Sequence, residues 1–381
     1  MQFPQTSSAS RTTSTSSALG APRAPGTEPP AAVELARYGW DEARREELSA
    51  LAPPPGVVPG RVVRLDRGRC EVVTAAGAVR AEVPAALAPD PVSAPATGDW
   101  VLLDPGAGPR VTAVLPRRAV LVRAATAGHS HGQVLAANVD DVVVVAPLDE
   151  RLRPGRLERL LALAWESGAR PLVVLTKADV AADPEAAVAE AALTAPGAEV
   201  LAVSATTGAG TGELARRLRG TAVLIGPSGA GKSSLANALL GHEALAVGAV
   251  REGDRRGRHT SVRRELVPLP GGGALVDTPG LRSVGLQEAA AGLQRVFADV
   301  EEFSADCRFS DCGHAGEPGC AVLAAVDADV LPRRRLDSYL ALQREEARAS
   351  ARTDQRLRAE ERRRHRVLAR EQRRLRTERG R

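Results

Sequence analysis

The stretch "GPSGAGKS" from Gly226 to Ser233 constrains this chain more than any other. It follows the apolar run "AVLI" and leads into the helix former "SLANALL". A strand that ends in a glycine-rich turn and restarts as a helix points successive backbone N–H groups at a phosphate, and the spacing G-x-x-x-x-G-K-S is that of a P-loop. Gly226, Pro227, Ser228, Gly229, Ala230, Gly231, Lys232, Ser233 and Ser234 are therefore expected to cradle a nucleotide's phosphates. Lys232 would neutralise the outer phosphates during catalysis, and the Ser233 hydroxyl would ligate Mg²⁺. Of 51 basic residues 49 are Arg, and the only two Lys are Lys177 and Lys232. A compact ammonium at a phosphate is not copied by a planar guanidinium, so this position resists replacement for a physical reason.

The other lysine belongs to "TKAD", which follows the apolar run "RPLVVL". The Asp179 carboxylate can accept hydrogen bonds from guanine N1–H and the 2-amino group while the Lys177 stem covers the ring. Adenine offers neither donor, a mismatch that gives large discrimination. Such loops usually begin with Asn; Thr176 stands there instead, with a hydroxyl able to brace the loop. "VSA" at 203–205 reads as the companion loop, formed by Ser204 and Ala205, with the Ala205 N–H facing the guanine 6-oxo group. "DTPG" at 277–280 follows the buried run "GALV". Asp277 can hold Mg²⁺, the Gly280 N–H can sense a γ-phosphate, and Thr260 in "GRHTSV" is the expected switch residue and third Mg²⁺ ligand. Taken in chain order, base loop, companion loop, P-loop, switch and "DTPG" are a rotation of the usual G-domain order. Domain termini lie close enough for such a rejoining to preserve every contact. Leu281 then occupies the position at which Ras-like proteins carry a water-orienting Gln, so unstimulated hydrolysis should be slow. His259 is the nearest candidate to position water; the alternative is a solvent-exposed His flanked by Arg. His129 and His131 read as surface residues.

Cys307, Cys312, His314 and Cys320 follow the spacing C-x4-C-x-H-x5-C. Three thiolates and an imidazole make a closed tetrahedral set suited to one structural Zn²⁺; incidental thiols or a disulfide are the alternatives. Cys70, in a strand-like run, is expected in a core.

Short alternating runs between 57 and 123 predict a small antiparallel barrel or sandwich. Beyond the linker "AGHSHGQVLAAN", continuous apolar runs alternate with amphipathic stretches, the pattern of a parallel, doubly wound sheet. Residues 39–51 read as a short helix. Residues 1–32 read as a disordered tail, with a transit peptide as the other reading. Residues 333–381 carry eighteen Arg against eight acidic residues, +10 within a chain of net +5. That tail suggests a polyanionic partner, nucleic acid before membrane; a solvated, salt-bridged helix is the alternative. Only nine aromatics in 381 residues argue against recognition by base stacking. No apolar run is long enough to span a bilayer.

The rotated motif order, "GPSGAGKSSLANAL", "GRHTSV", "DTPGLR" and the Cys/His cluster together resemble the circularly permuted GTPases known as RsgA or YjeQ, the ribosome small subunit-dependent GTPases. The resemblance implies a multidomain α/β protein: a tail and short helix over 1–56, an OB-type RNA-binding β-barrel over 57–127, a permuted P-loop G domain over 128–298, and a small zinc-binding helical domain with a basic tail over 299–381. It implies a cytoplasmic, monomeric GTP phosphohydrolase using Mg²⁺ with GTP, stimulated by the small (30S) ribosomal subunit and binding its rRNA during late maturation. The competing expectation is an RNA-binding scaffold with an inert nucleotide site. A scaffold has no physical need for intact Lys232, Ser233, Asp277 and Asp179.

Overall fold

The computed structural model describes residues 35–66, 68–123, 132–243, 264–277, 289–350 and 359. Helix α1 (Glu42–Ala50) opens on Asp41, whose carboxylate accepts the Arg44 N–H at 2.8 Å and so satisfies one free donor of the first turn. Five strands follow: β1 (Val58–Asp66), β2 (Arg69–Thr74), β3 (Gly77–Glu82), β4 (Trp100–Asp104) and β5 (Arg110–Val114). They run in the order β1-β2-β3-β5-β4, and β4 pairs back onto β1. This closed five-stranded barrel leaves no free edge. Val62, Cys70, Val72, Ala81, Val101, Leu103 and Val111 fill its interior. One pair, β3 with β5, is parallel, where the alternating pattern alone suggested antiparallel pairing throughout. The reason is topological: an odd number of strands cannot alternate direction all the way round a closed ring.

Strands β6 (Val120–Arg123) and β7 (Gln133–Ala137) form an antiparallel pair, and β7 lies in the stretch expected to be linker. Its sequence "QVLAA" shows no alternation because residues 134–137 are all buried, Val134 and Ala137 against Ala96, and Leu135 and Ala136 in the main core.

The remaining sheet elements are β8 (Asp141–Pro147), α2 (Pro154–Glu166), β9 (Arg170–Thr176), α3 (Pro184–Thr194), β10 (Glu199–Ala202), α4 (Thr211–Arg217), β11 (Thr221–Ile225), α5 (Lys232–Leu240), β12 (Glu265–Pro268) and β13 (Ala274–Asp277). Strand order is β10-β9-β8-β11-β13-β12, parallel except for β12, which pairs antiparallel with β13. Helices cover both faces, so residues 142–145, 172–175 and 222–225 are buried throughout and their sequences read as unbroken apolar runs. A single bridge, Arg64 to Glu265, joins β1 to β12 and makes barrel and α/β layer one 11-stranded sheet.

A second contact fastens the two together. Arg61 of β1 is fully buried, stacks its guanidinium 4.6 Å from the Trp100 ring and donates to the Thr221 hydroxyl at 2.8 Å, at the start of the strand that feeds the P-loop. Burial pulls its pKa down to about 9 against the opposing charge of Asp140.

Helices α6 (Ala290–Val296), α7 (Ala298–Ser304), α8 (Ala321–Asp327) and α9 (333–350) complete the described chain. Helix α6 lies directly on α2. At Gly292 a Cβ would fall inside van der Waals contact of the Ala162 carbonyl, and the Gly292 N–H donates to Glu166 at 2.8 Å. Helix α9 docks on α2 through Glu158, fully buried, which receives Arg334 at 2.9 Å, Arg335 at 2.8 Å and the Ser338 hydroxyl. No described helix is long and apolar enough to cross a membrane.

Candidate functional site

Strands β8, β9, β11 and β13 run parallel, so their carboxyl ends share one edge of the sheet, where phosphate ligands bind α/β folds. The P-loop leaves β11 at that edge. Gly226 has φ +154° and stands so close to the Val145 carbonyl that a Cβ would clash, which explains glycine at the first position of the motif. Gly229 and Gly231 carry φ near +80°, and α5 begins at Lys232 with Ser233 and Ser234 in its first turn. The Lys232 ammonium donates to the carbonyls of Gly226 at 2.9 Å and Pro227 at 2.7 Å, curled over the loop it is expected to serve.

The base loop arrives from β9 onto the same loop. The buried Thr176 hydroxyl donates to the Ala230 carbonyl at 2.6 Å and lies 3.4 Å from the Ala146 carbonyl, so the residue standing in the usual Asn position ties base loop to P-loop across 54 positions of sequence. Lys177 adopts φ +60°, and its ammonium pairs with Asp149 on the segment after β8, an acidic partner the sequence reading did not single out. The Ala178 N–H donates to the Val203 carbonyl at 3.1 Å, joining base loop and companion loop. Ser204 is buried and its hydroxyl accepts the Thr207 N–H at 3.1 Å, so it shapes the companion loop from inside. Asp179 is exposed, and Ala205, next after Ser204, is half-buried.

Strand β13 ends at Asp277 beside β11, which puts that backbone at the phosphate end of the sheet. Ser233 lies at the start of α5, which follows β11, and the backbone of β13, the strand beside β11, ends at Asp277. His259, Thr260, Gly280 and Leu281 lie outside the described residues, as do His129, His131, residues 1–32 and nearly all of the tail beyond 350.

Between α7 and α8, the four expected metal ligands converge. One ligand atom each from Cys307, Cys312, His314 and Cys320 lies within 4.8 Å of the others. His314 has φ +54°, which turns Nδ1 toward Cys307 Sγ at 3.7 Å and Cys320 Sγ at 3.5 Å, while Nε2 lies 3.3 Å from the Ser304 hydroxyl. That outer hydrogen bond is the kind that orients a ligating imidazole. Three sulfurs and one nitrogen at this separation fit a tetrahedral Zn²⁺ and leave no position for substrate water. Cys70 is buried in the barrel, where burial pushes its thiol up to about 12, and takes no part.

A six-stranded α/β sheet with a P-loop, a base-reading loop braced against it and the two in reversed chain order defines a P-loop protein of the G-domain class with a permuted chain. The family model for the RsgA GTPase matches residues 114–287, which include the base, companion, phosphate and "DTPG" loops. The chain is 53% identical over 331 residues to the small ribosomal subunit biogenesis GTPase RsgA of Streptomyces coelicolor, covering 86% of this chain and 90% of that protein. It is 38% identical over 320 residues to small ribosomal subunit biogenesis GTPase RsgA 2 of Lactiplantibacillus plantarum, covering 82% and 89%. Two solved structures share the fold. YjeQ from Thermotoga maritima has a TM-score of 0.56 at 24% identity, covering 75% of this chain and 97% of that one. YloQ, a circularly permuted GTPase, has a TM-score of 0.56 at 23% identity, covering 76% and 94%. The chain belongs to the RsgA GTPase family.

Proposed function

We propose that this protein is a GTPase of small ribosomal subunit biogenesis, hydrolysing GTP to GDP and phosphate in the cytoplasm as a monomer, with turnover raised by the subunit it docks on. The observation that carries the reading is the Thr176 hydroxyl on the Ala230 carbonyl: two loops far apart in a rotated sequence meet, which supports reading them as one nucleotide site. The backbone N–H groups of Gly229 to Ser234 hold the phosphates, Asp179 and Ala205 read guanine, and Ser233 and Asp277, with Thr260, hold Mg²⁺, which supplies charge neutralisation between the outer phosphates. Zn²⁺ on Cys307, Cys312, His314 and Cys320 cross-links the segment between α7 and α8 and stiffens the surface presented to rRNA. His259 positions water once its loop is ordered by docking.

The test is GTP turnover with purified protein, with and without isolated small subunits, at low salt. Stimulation should be large with small subunits and weak with large ones, and should fall steeply as salt rises, because Arg contacts to phosphate displace counterions. Equal rates with and without subunits would refute ribosome triggering. A site that binds RNA but neither binds nor turns over GTP would favour the scaffold.

A further inference from the structure

A cavity of about 280 Å³ lies beside the P-loop, between the segment following β8 and the start of α2. Ser228 and Gly229 of the P-loop, the apolar Leu152, Leu157 and Leu160, and the exposed Arg151 and Arg156 line it. The charges around it do not cancel. Asp149 is taken by Lys177, and Glu150 lies 3.7 Å from Arg153, while the guanidinium groups of Arg151 and Arg156 have no partner among the described residues. An exposed, unpaired guanidinium lining the same cavity as a phosphate loop is a cation awaiting an anion.

The two differ in how firmly they are held. Arg156 sits in the first turn of α2, and the next two residues, Leu157 and Glu158, are 2% and 0% exposed. Glu158 is the residue on which Arg334 and Arg335 of α9 converge, so the turn carrying Arg156 is fixed from behind. Arg151 lies in the loop before the helix. The space beside Gly229 is open: a Cβ added there would meet no atom within 4 Å. His259, read above as the water-positioning group in place of the usual Gln, leaves a separate part of the reaction unassigned, the neutralisation of charge building on the leaving oxygen.

We propose that Arg156 is a catalytic arginine supplied in cis, reaching over Gly229 to the phosphate chain; this rests on the reading that GTP occupies the P-loop. In the step it serves, water oxygen bonds to the γ-phosphorus as the bond from phosphorus to the β–γ bridging oxygen breaks. The electron pair stays on that oxygen, now terminal on GDP, and both protons of the water leave on the phosphate, one on the oxygen that attacked and one on a γ-oxygen. Arg156 forms no covalent bond and accepts no proton. It neutralises charge building on the bridging oxygen, the contribution arginine fingers make in trans to other GTPases.

The experiment compares wild type, Arg156→Ala and Arg156→Lys for binding of GDP, binding of GDP with aluminium fluoride, and GTP turnover with and without small subunits. Because Arg156 is exposed and unpaired, the unfolding midpoint should not move. GDP affinity should stay within about twofold, while affinity for GDP with aluminium fluoride and kcat should each fall about 10²–10³-fold at unchanged KM. Lys should not restore them, since it lacks the planar fork. Equal loss for GDP and its fluoride complex would overturn the proposal by making Arg156 a ground-state anchor. A loss confined to subunit stimulation would overturn it by making Arg156 an RNA contact, and no change in any readout would overturn it outright. If wild type itself failed to bind GDP, the nucleotide reading would fall instead; wild-type turnover matched by Arg156→Ala would remove the arginine alone.

Discussion

Replacing Arg335 with Met tests what holds α9 to the G domain. Its guanidinium donates to Glu158 at 2.8 Å, to Asp299 at 2.6 and 2.9 Å and to the Val296 carbonyl at 2.8 Å, and lies 4.5 Å from the Phe297 ring. Desolvation works against its charge, yet Asp299 and Glu158 carry its pKa above the usual arginine value, so the carboxylates win. Removing one partner of a buried pair costs about 3–5 kcal/mol, because the other charge stays behind. Here Glu158 keeps Arg334, whose side chain is 46% exposed, and the Ser338 hydroxyl, which puts the loss near the lower end, about 3 kcal/mol. At about 2–4 °C per kcal/mol, the transition should fall by about 6–12 °C. Trp165 packs 5.2 Å from Arg295 at the α2–α6 seam and reports it, while the Trp40–Trp100 pair at 4.8 Å reports the barrel, whose transition should stay put. Glu158→Leu combined with Arg335→Met should recover about 2 kcal/mol relative to the sum of the single losses. A fall below about 2 °C for Arg335→Met, or strict additivity in the double variant, would refute the reasoning.

Arg61→Met removes an equally buried arginine and should change stability by less than about 1 kcal/mol, because its hydrogen-bonded partners are neutral, its Nε has none, and Asp140, the carboxylate that faces it, is exposed and keeps the Thr221 N–H; urea unfolding checks this. Thr176→Val leaves the Ala230 carbonyl unpaired in a buried site, a cost of about 1–2 kcal/mol that should appear as about 5–30-fold weaker GDP binding by calorimetry. Asp179→Asn should weaken GTP and favour xanthosine triphosphate, since the new amide donates where xanthine has a 2-oxo group; unchanged nucleotide preference in a competition assay would count against Asp179 as base reader. Metal analysis should find about one zinc per chain, and chelation should expose α7–α9 to protease while GDP affinity changes less than about threefold, because the four ligands lie beyond the nucleotide loops.

The features legible in the sequence were those encoded by neighbours. Gly226 to Ser233 announces a P-loop because the turn, the cradle and the helix start fall within eight consecutive residues, and the Cys307 to Cys320 spacing announces a tetrahedral set for the same reason. The runs at 142–145, 172–175 and 222–225 announce buried parallel strands because two-sided burial removes alternation from the sequence itself. In "QVLAA" the same loss of alternation concealed a strand, since the four apolar and small residues after Gln133 carry no period and only the pairing of residues 133–137 with 120–123 shows the ladder. Tertiary structure alone decided that Thr176 braces Ala230, that Asp149 holds Lys177, that Arg61 plugs the barrel onto Thr221 and that Glu158 gathers Arg334 and Arg335 from more than 170 positions away. Arginine is nearly the only cation in this chain, so its composition cannot say which of 49 guanidinium groups is buried against a carboxylate, which is stacked on tryptophan and which is left free beside a phosphate loop. That choice is made by desolvation and by the partner that packing brings within hydrogen-bond reach, and neither exists until the sheet has closed.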